Sequence, residues 1–168
     1  MKISLKYSAF ISVLIYLMSV TSLKANQCLK AINLLSERID VPKKLLLQIA
    51  KVESGFGPQR MPWPWSIHIQ GKSYYFKNQS AAALYINELL ALGIKNFDVG
   101  CLQINYFWHQ DKVRTPQELL NPLKNTLIAA QFLVSLRAQH HSWFKAVAHY
   151  HSSNPQKGLT YAKLVYSY

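Results

Sequence analysis

Hydrophobic residues recur every three or four positions along most of the chain, which is the spacing of one face of an α-helix. Over residues 42–54 this pattern follows Asp40-Val41-Pro42, a cap and a proline that favour a helix start, and it stops at Gly55 and Gly57. The pattern predicts further helices over residues 28–39, 80–92, part of 100–108, 123–139, 142–150 and 159–166.

Residues 58–77 break the helical pattern. They contain three prolines and two tryptophans, and two short β-like runs, 65–69 and 73–76, flank Gln70-Gly71-Lys72. This arrangement predicts a small β-hairpin, which either faces solvent or lines a binding cleft. The chain is therefore predicted to be mainly α, with one hairpin.

The length and the N-terminus predict one exported domain. A chain of 168 residues suits a single core. Residues 1–25 resemble a signal peptide, with a positive start, MKISLK, an apolar run, YSAFISVLIYLMSV, and Ala25 before the cleavage position. Because that run is shorter than the roughly 20 residues of a membrane span, we expect cleavage, with a retained anchor as the alternative. The predicted units are residues 1–25 and 26–168.

Two cysteines lie in the predicted domain, Cys28 and Cys101. In an oxidising compartment such a pair favours a disulfide, and the alternative is two separate buried thiols. The sequence has no third cysteine and no HExxH-type pair. We therefore predict no metal site and no cofactor.

The chain is strongly basic, with 19 Lys and Arg residues against 7 Asp and Glu, a formal net charge of +12. This balance suggests an anionic partner, such as nucleic acid, a lipid surface or an acidic polymer. The predicted signal peptide and the lack of a dense Lys/Arg helix argue against nucleic acid.

Glu53 is the only carboxylate between Asp40 and Glu88. Ile49 and Ala50, four and three positions earlier, share its helix face. The C-terminal end of a helix disfavours negative charge, so an unpaired carboxyl there would tend to keep its proton near neutral pH. A general acid needs such a proton. The alternative is a surface glutamate that reaches solvent or pairs with Lys or Arg.

Four motifs occur in order along the chain: Glu53-Ser54-Gly55-Phe56, DVGCLQIN at 98–105, AVAHYHS at 146–152 and YAKLV at 161–165. Together they resemble the soluble lytic transglycosylase (SLT) domain, a lysozyme-like fold that acts on bacterial peptidoglycan. The resemblance extends from about Cys28 to Val165. The Pro-Trp-Pro-Trp segment with its hairpin also resembles an insertion in one branch of small exported members.

The resemblance implies a lysozyme-like α+β domain, here expected to be a monomer in the periplasm that acts on glycan strands. It implies that Glu53 is the single catalytic acid and base. Glu53 would protonate the oxygen of the β-1,4 bond between N-acetylmuramic acid and N-acetylglucosamine. It would then take the proton of the muramic 6-hydroxyl, which closes onto carbon 1 as a 1,6-anhydro sugar.

The resemblance also implies a substrate-binding set. Ser54 would form hydrogen bonds near the catalytic acid, and Gln103 would face the cleft. Asn105 would mainly hold the fold. Tyr150 would hydrogen-bond Glu53 or the substrate, unless it is a core tyrosine, and Tyr161 is tied less directly to the site. The predicted set is Ser54, Gln103, Tyr150, Asn105, His151 and Tyr161.

The chain departs from the family pattern at two motifs. His149-Tyr150-His151 stands where Ala-Tyr-Asn is usual, and His151 is either a surface residue or a cleft residue. Cys101-Leu102 stands where Leu-Met is usual. Asp98 is expected to be a loop or helix cap, with a place in the site as the alternative. Several rings are candidates for stacking on sugars: Trp63, Trp65, Tyr74, Tyr75, Tyr106, Trp108 and Trp143.

Two rival functions remain open. The same fold could act as a hydrolytic lysozyme that adds water to the bond. It could also be a wall-binding or secretion-accessory protein without catalysis. Small members of the family often accompany secretion, conjugation or pilus machinery, so such a machine is a possible partner.

Overall fold

The computed structural model describes residues 27–168. The predicted signal peptide, residues 1–25, lies outside the described residues. Within residues 27–168 we find no helix with both the length and the apolar character needed to cross a membrane.

The described chain is mainly helical, which confirms the predicted fold class. The helix over residues 42–54 is confirmed almost to the residue, because Pro42 precedes its first turn and Gly55 is extended. The described α-helices are α1 (residues 27–36), α2 (Lys43–Ser54), α3 (Gln79–Ala91), α4 (Tyr106–His109), α5 (Pro122–His140), α6 (Trp143–His151) and α7 (Pro155–Tyr166).

Helix α7 begins four residues before the predicted start at Leu159. The side chain of Asn154 accepts a hydrogen bond from the backbone N–H of Lys157, and Pro155 occupies the first turn. Proline suits that position because its nitrogen has no hydrogen to leave unpaired. Pro155 therefore starts the last helix and does not interrupt it.

The predicted hairpin is confirmed and forms part of a larger sheet. Its strands are β3 (Ser66–Ile69) and β4 (Lys72–Tyr75), joined by Gln70 and Gly71. Both turn residues have positive φ, 50° and 78°, as a tight two-residue hairpin turn requires. The other strands are β1 (Gly55–Phe56), β2 (Met61–Pro62), β5 (Asp98–Val99) and β6 (Ile104–Asn105).

The four-stranded sheet has the order β4-β3-β5-β6, and all its pairs are antiparallel. Strands β5 and β6 lie where part of a helix was predicted, and only α4, from Tyr106, is helical in that segment. The reason is pairing, because Val99 lies opposite both Ile67 of the hairpin and Ile104. The hairpin thus continues into the strands of the second motif.

A single buried cluster joins the helices to this sheet. Leu46 and Ile49 of α2 pack with Ile67 of β3 and Leu133 of α5, and all four are fully or almost fully buried. Burial of such side chains contributes about 1.5–3 kcal/mol each. The end of α2, where Glu53 lies, is therefore held firmly against the sheet.

The predicted disulfide between Cys28 and Cys101 is confirmed. Their Cα atoms are 5.7 Å apart, and both residues are buried. Cys101 lies in the loop between β5 and β6, so the bond ties this loop to α1. The alternative of two separate thiols is wrong.

The β5–β6 loop is also anchored to α5 by the buried side chain of Asn125. Its Oδ1 accepts a hydrogen bond from the N–H of Leu102 at 2.9 Å. Its Nδ2 donates to the carbonyl oxygens of Val99 and Leu119, at 2.7 and 3.0 Å. Since all three partners are backbone groups, one amide side chain fixes the conformation of the second motif.

Candidate active site

Glu53 lies in the last turn of α2, at the floor of an open cleft. Ile49, one turn earlier, is fully buried in the core. Glu53 is half-buried, so protein surrounds most of its carboxyl while part of it contacts the cleft. The helix thus places the carboxyl at the boundary between the apolar interior and the cleft, where a ligand can reach it.

The cleft has two lobes that meet at Glu53. We call them the sheet lobe, about 610 Å³, and the α7 lobe, about 620 Å³. Glu53, His68 and His151 line both lobes. The sheet lobe is also lined by Asp98, Gln103, Ile104, Asn105, Trp108, His109, Phe132, His149, Tyr150, Ser152 and Ser153. The α7 lobe is also lined by Val52, Ser73, Gln156, Lys157, Thr160, Tyr161 and Leu164.

Burial raises the pKa of Glu53 from 4.5 to about 8. The main cause is the loss of water around the carboxyl, and the nearby charge of Asp98 adds to the rise. A hydrogen bond from the Tyr161 hydroxyl acts in the opposite direction, because it stabilises the ionised form. With this pKa, roughly nine in ten Glu53 side chains carry a proton at pH 7.

The tyrosine that contacts Glu53 is Tyr161, which the resemblance tied less directly to the site than Tyr150. The hydroxyl of Tyr161, on α7, donates a hydrogen bond to Oε1 of Glu53. The hydroxyl of Tyr150 donates to the carbonyl oxygen of Leu102 at 2.6 Å, so it holds the β5–β6 loop. The expectation that Tyr150 hydrogen-bonds Glu53 is corrected. Burial raises the pKa of both phenols well above 10, so both remain donors.

Ser54 is completely buried, with 0% of its surface exposed. Its hydroxyl donates to the carbonyl oxygens of Cys101 and Ala50, at 2.6 and 3.3 Å. It also accepts a hydrogen bond from the N–H of Trp63 at 3.2 Å. Ser54 thus lies beside Glu53, as expected, but it cannot touch a substrate, which corrects its place in the substrate-binding set. It ties the end of α2 to the β5–β6 loop.

Gln103 lines the sheet lobe, where the sequence placed it. Its backbone has a positive φ of 46°. Its Nε2 donates to the carbonyl oxygen of Gly100 and to Oγ of Ser66, both at 2.9 Å. This side chain therefore joins the loop to the hairpin while it forms part of the cleft wall.

Asn105 lines the sheet lobe and also holds the fold, as expected. Its Nδ2 donates to Oδ1 of Asp98 at 2.8 Å and to Oδ1 of Asn96 at 2.9 Å. Its own Oδ1 accepts from the N–H of Trp108 at 3.2 Å and caps α4. Asn105 therefore orients Asp98 and starts the short helix that carries Trp108.

His151 is exposed at the end of α6 and lines both lobes, so it is a residue of the cleft wall. Its ring stacks parallel on Tyr161, with centroids 4.4 Å apart and an interplanar angle of 5°. Burial lowers the pKa of His151, and nearby Lys157 lowers it further, while Asp98 raises it. The imidazole of His151 thus covers the tyrosine that contacts Glu53.

Two cleft residues were missed or left open by the sequence. Asp98, expected mainly as a cap, lies on β5 and lines the sheet lobe, where burial raises its pKa. His68 is on β3, and its Nδ1 lies 3.0 Å from Oγ of Ser73. The sequence offered one indication that His68 faces the cleft, namely its position between Ile67 and Ile69. Neighbouring strand residues face opposite sides of a sheet.

Trp108 places a large exposed ring in the sheet lobe, with 72% of its surface accessible. By contrast, Trp63 and Trp65 are buried in the core, so they are unsuited to stacking on sugar. Among residues 27–168, no group of three or more His, Cys, Asp or Glu side chains is placed to hold a metal ion.

Comparison with known families agrees with the geometry. The family model described as the transglycosylase SLT domain matches residues 30–158. No match is found among curated proteins or among solved structures. The matched region contains Glu53, the β5–β6 loop and α6, which together form most of the cleft. The chain therefore belongs to the transglycosylase SLT domain family, which indicates transglycosylase activity on peptidoglycan.

Proposed function

We propose that the protein is a lytic transglycosylase that cleaves the β-1,4 bond between N-acetylmuramic acid and N-acetylglucosamine, with Glu53 as its general acid and base. One observation carries the proposal: a carboxyl with a pKa near 8 lies where the two lobes of a cleft meet. A glycan bound in this cleft would place a bond between two sugars beside Glu53.

The proposed reaction has two proton transfers and consumes no water. Protonated Glu53 gives its proton to the glycosidic oxygen as the bond from that oxygen to carbon 1 breaks. The 6-hydroxyl oxygen of the same muramic acid then bonds to carbon 1, with assistance from the 2-acetamido group. The Glu53 carboxylate takes the hydroxyl proton, so the enzyme returns to its initial state. The products are a 1,6-anhydro end and a free N-acetylglucosamine end.

Tyr161 supports the first transfer. Its hydroxyl donates to Oε1 of Glu53, and a donor to a carboxylate stabilises the ionised form that exists between the two steps. Since the buried hydroxyl of Ser54 holds the end of α2, the carboxyl has a fixed position relative to the cleft. Cleavage of residues 1–25 would remove Lys2, Lys6 and Lys24 and no acid, and the remaining net charge of 12 − 3 = +9 would draw the enzyme towards the carboxylates of peptidoglycan.

We also propose that residues 1–25 direct export to the periplasm and that the domain works there as a monomer. Local opening of the wall for a secretion, conjugation or pilus machine fits a small basic transglycosylase. The export rests on the signal-peptide pattern of the sequence, and the rest of this part rests on the family resemblance.

Hydrolysis is the second candidate, and the position of Asp98 favours it. Glycoside hydrolases commonly use two carboxylates, one as acid and one as base or nucleophile. Asp98 lines the same cleft as Glu53 and interacts with it electrostatically. However, the side chain of Asn105 is bonded to Asp98, so that this carboxyl has a structural role as well.

Digestion of purified peptidoglycan in water enriched with heavy oxygen separates these candidates. We expect muramic ends that are lighter than hydrated ends by one water and that carry no heavy oxygen. Hydrated, labelled ends would show a lysozyme and overturn the proposal. Intact peptidoglycan would indicate a binding protein without catalysis, and would also overturn it.

A further inference from the structure

We infer that the α7 lobe binds the stem peptide of the muramic acid at the cleavage site, and that Lys157 pairs with a carboxylate of that peptide. This inference rests on the proposed function. It assigns a peptide to the α7 lobe. The alternative is that this lobe binds further sugars of the glycan.

The two lobes differ in charge. Asp98 lines the sheet lobe, close to Glu53. Among residues 27–168, the only carboxyl that lines the α7 lobe is that of Glu53, which carries a proton at neutral pH. Lys157 lines the α7 lobe and not the sheet lobe. A carboxylate ligand is therefore favoured in the α7 lobe and disfavoured beside Asp98.

Lys157 is available to a ligand. It is exposed, and its backbone N–H is already bonded to Asn154. The ion pairs found within residues 27–168 join Lys112 to Asp111 and Lys124 to Glu118, so Lys157 has no acidic partner in the described part of the chain. His151, which also lines this lobe, lies near enough to Lys157 for the two charges to interact when the imidazole is protonated.

The lobes also differ in the groups that could bind sugar. Trp108 offers an exposed ring in the sheet lobe. The aromatic ring that lines the α7 lobe, that of Tyr161, is only 6% exposed and is covered by His151. Besides His68 and the residues already named, that lobe is lined by apolar and hydrogen-bonding side chains: Val52, Ser73, Gln156, Thr160 and Leu164. This mixture suits a peptide with amides, small side chains and carboxylates.

The position of the lobe fits the geometry of the substrate. A stem peptide hangs from the muramic acid whose bond is broken, so it leaves the glycan next to the catalytic carboxyl. The α7 lobe opens at Glu53. The glycan would therefore extend along the sheet lobe while the peptide extends past Tyr161 towards Lys157.

The first test measures binding without turnover, in full-length protein carrying Glu53→Gln. The ligand is a soluble disaccharide that bears its stem peptide, and the matched ligand is the same molecule with its peptide carboxylates amidated. By calorimetry at low ionic strength, we expect amidation to weaken binding about three- to fivefold, the range of an exposed ion pair. Equal affinity for the two ligands would overturn the inference.

The second test assigns the effect to Lys157. In the same background, Lys157→Gln should abolish the difference between the two ligands. Lys163→Gln, which removes an equal charge from the same helix outside the lobe, should retain it. If both variants retain the difference, Lys157 is not the partner and the inference is wrong. Because these measurements need no cleavage, they stand apart from the digestion that tests the proposed function.

Discussion

At the scale of single residues, the chemistry depends on the surroundings of one carboxyl. Burial removes water from the Glu53 carboxyl, the charge of Asp98 disfavours its ionisation, and the Tyr161 hydroxyl donates a hydrogen bond to it. The first two effects hold the proton at neutral pH, and the third makes its loss less costly. Glu53 can therefore both give and take a proton near pH 7 to 8.

Replacing Tyr161 by Phe should separate these effects. The variant lacks the donor that stabilises ionised Glu53, so the pKa of Glu53 should rise above about 8. The proton is then kept to higher pH, and the alkaline fall of kcat/KM should move upward by about 1 pH unit. We also expect kcat to fall about tenfold, since the carboxylate between the two steps is less stable.

Tyr150→Phe is the matched control for this pH profile. Its hydroxyl bonds to Leu102 and not to Glu53, so the alkaline fall should stay in place even if the β5–β6 loop loosens. If Tyr161→Phe leaves the fall unmoved, or if Tyr150→Phe moves it by the same amount, the assignment of the two tyrosines is wrong.

The sequence predicted which residues gather around Glu53 better than it predicted what each one touches. The apolar positions before Glu53 indicated that it lies at the edge of the core. However, Tyr161 meets Glu53 across 108 positions of sequence, and Ser54 meets Cys101 across 47. Such pairs are set by the packing of α7 and of the β5–β6 loop on α2. No local pattern in the sequence predicts that packing.

At the scale of elements, the β5–β6 loop determines the shape of the sheet lobe. Gly100 has a φ of 83°, and a Cβ atom there would lie 2.6 Å from Nδ2 of Asn125 and 2.7 Å from the carbonyl oxygen of Leu119. The loop therefore follows α5 at a distance that only glycine permits. Gln103 and Asn105, which line the cleft, are held at the end of this loop.

We expect Gly100→Ala to lower the free energy of unfolding by at least about 3 kcal/mol, from the close contacts as well as the positive φ. Gly93→Ala is the control, because Gly93 has a φ of 72° but nothing within 4 Å of its added Cβ. It should cost only about 1 kcal/mol. Urea denaturation of both variants measures the difference, and equal losses would show that close packing at Gly100 is unimportant.

Elements were predictable in proportion to their length. Helices of nine to nineteen residues, such as α5 and α6, show several turns of periodic pattern, and their caps at Asn121 and Ser142 are recognisable. Strands β5 and β6 have two residues each, too few for an alternating pattern to show. Strand β5 takes its conformation from pairing with β3, some thirty positions earlier, and β6 from pairing with β5.

At the scale of the whole molecule, one disulfide connects the start of the described chain to the active-site loop. Cys28 and Cys101 are 73 positions apart, and both are buried. Because the bond closes a long loop, it restricts the unfolded chain strongly. It also attaches α1 to the β5–β6 loop, which is bonded as well by the side chains of Asn125 and Ser54.

Removing this bond with Cys28→Ala and Cys101→Ala together should lower the free energy of unfolding by roughly 4 kcal/mol, the value for a loop of this length. Urea denaturation of the wild-type protein with a reductant should show the same loss as the double variant. Identical urea midpoints for oxidised and reduced protein would contradict the structural role given to the bond.

The most direct test of the central claim, that a single carboxyl performs both proton transfers, is the product spectrum of two carboxamide variants. Peptidoglycan is incubated with wild-type protein, Glu53→Gln or Asp98→Asn, and the fragments are weighed. We predict that wild-type protein and Asp98→Asn both produce anhydro ends. Glu53→Gln should produce about a thousandfold fewer of them, or less. Anhydro products from Glu53→Gln at the wild-type rate, or their equal loss in both variants, would contradict the account.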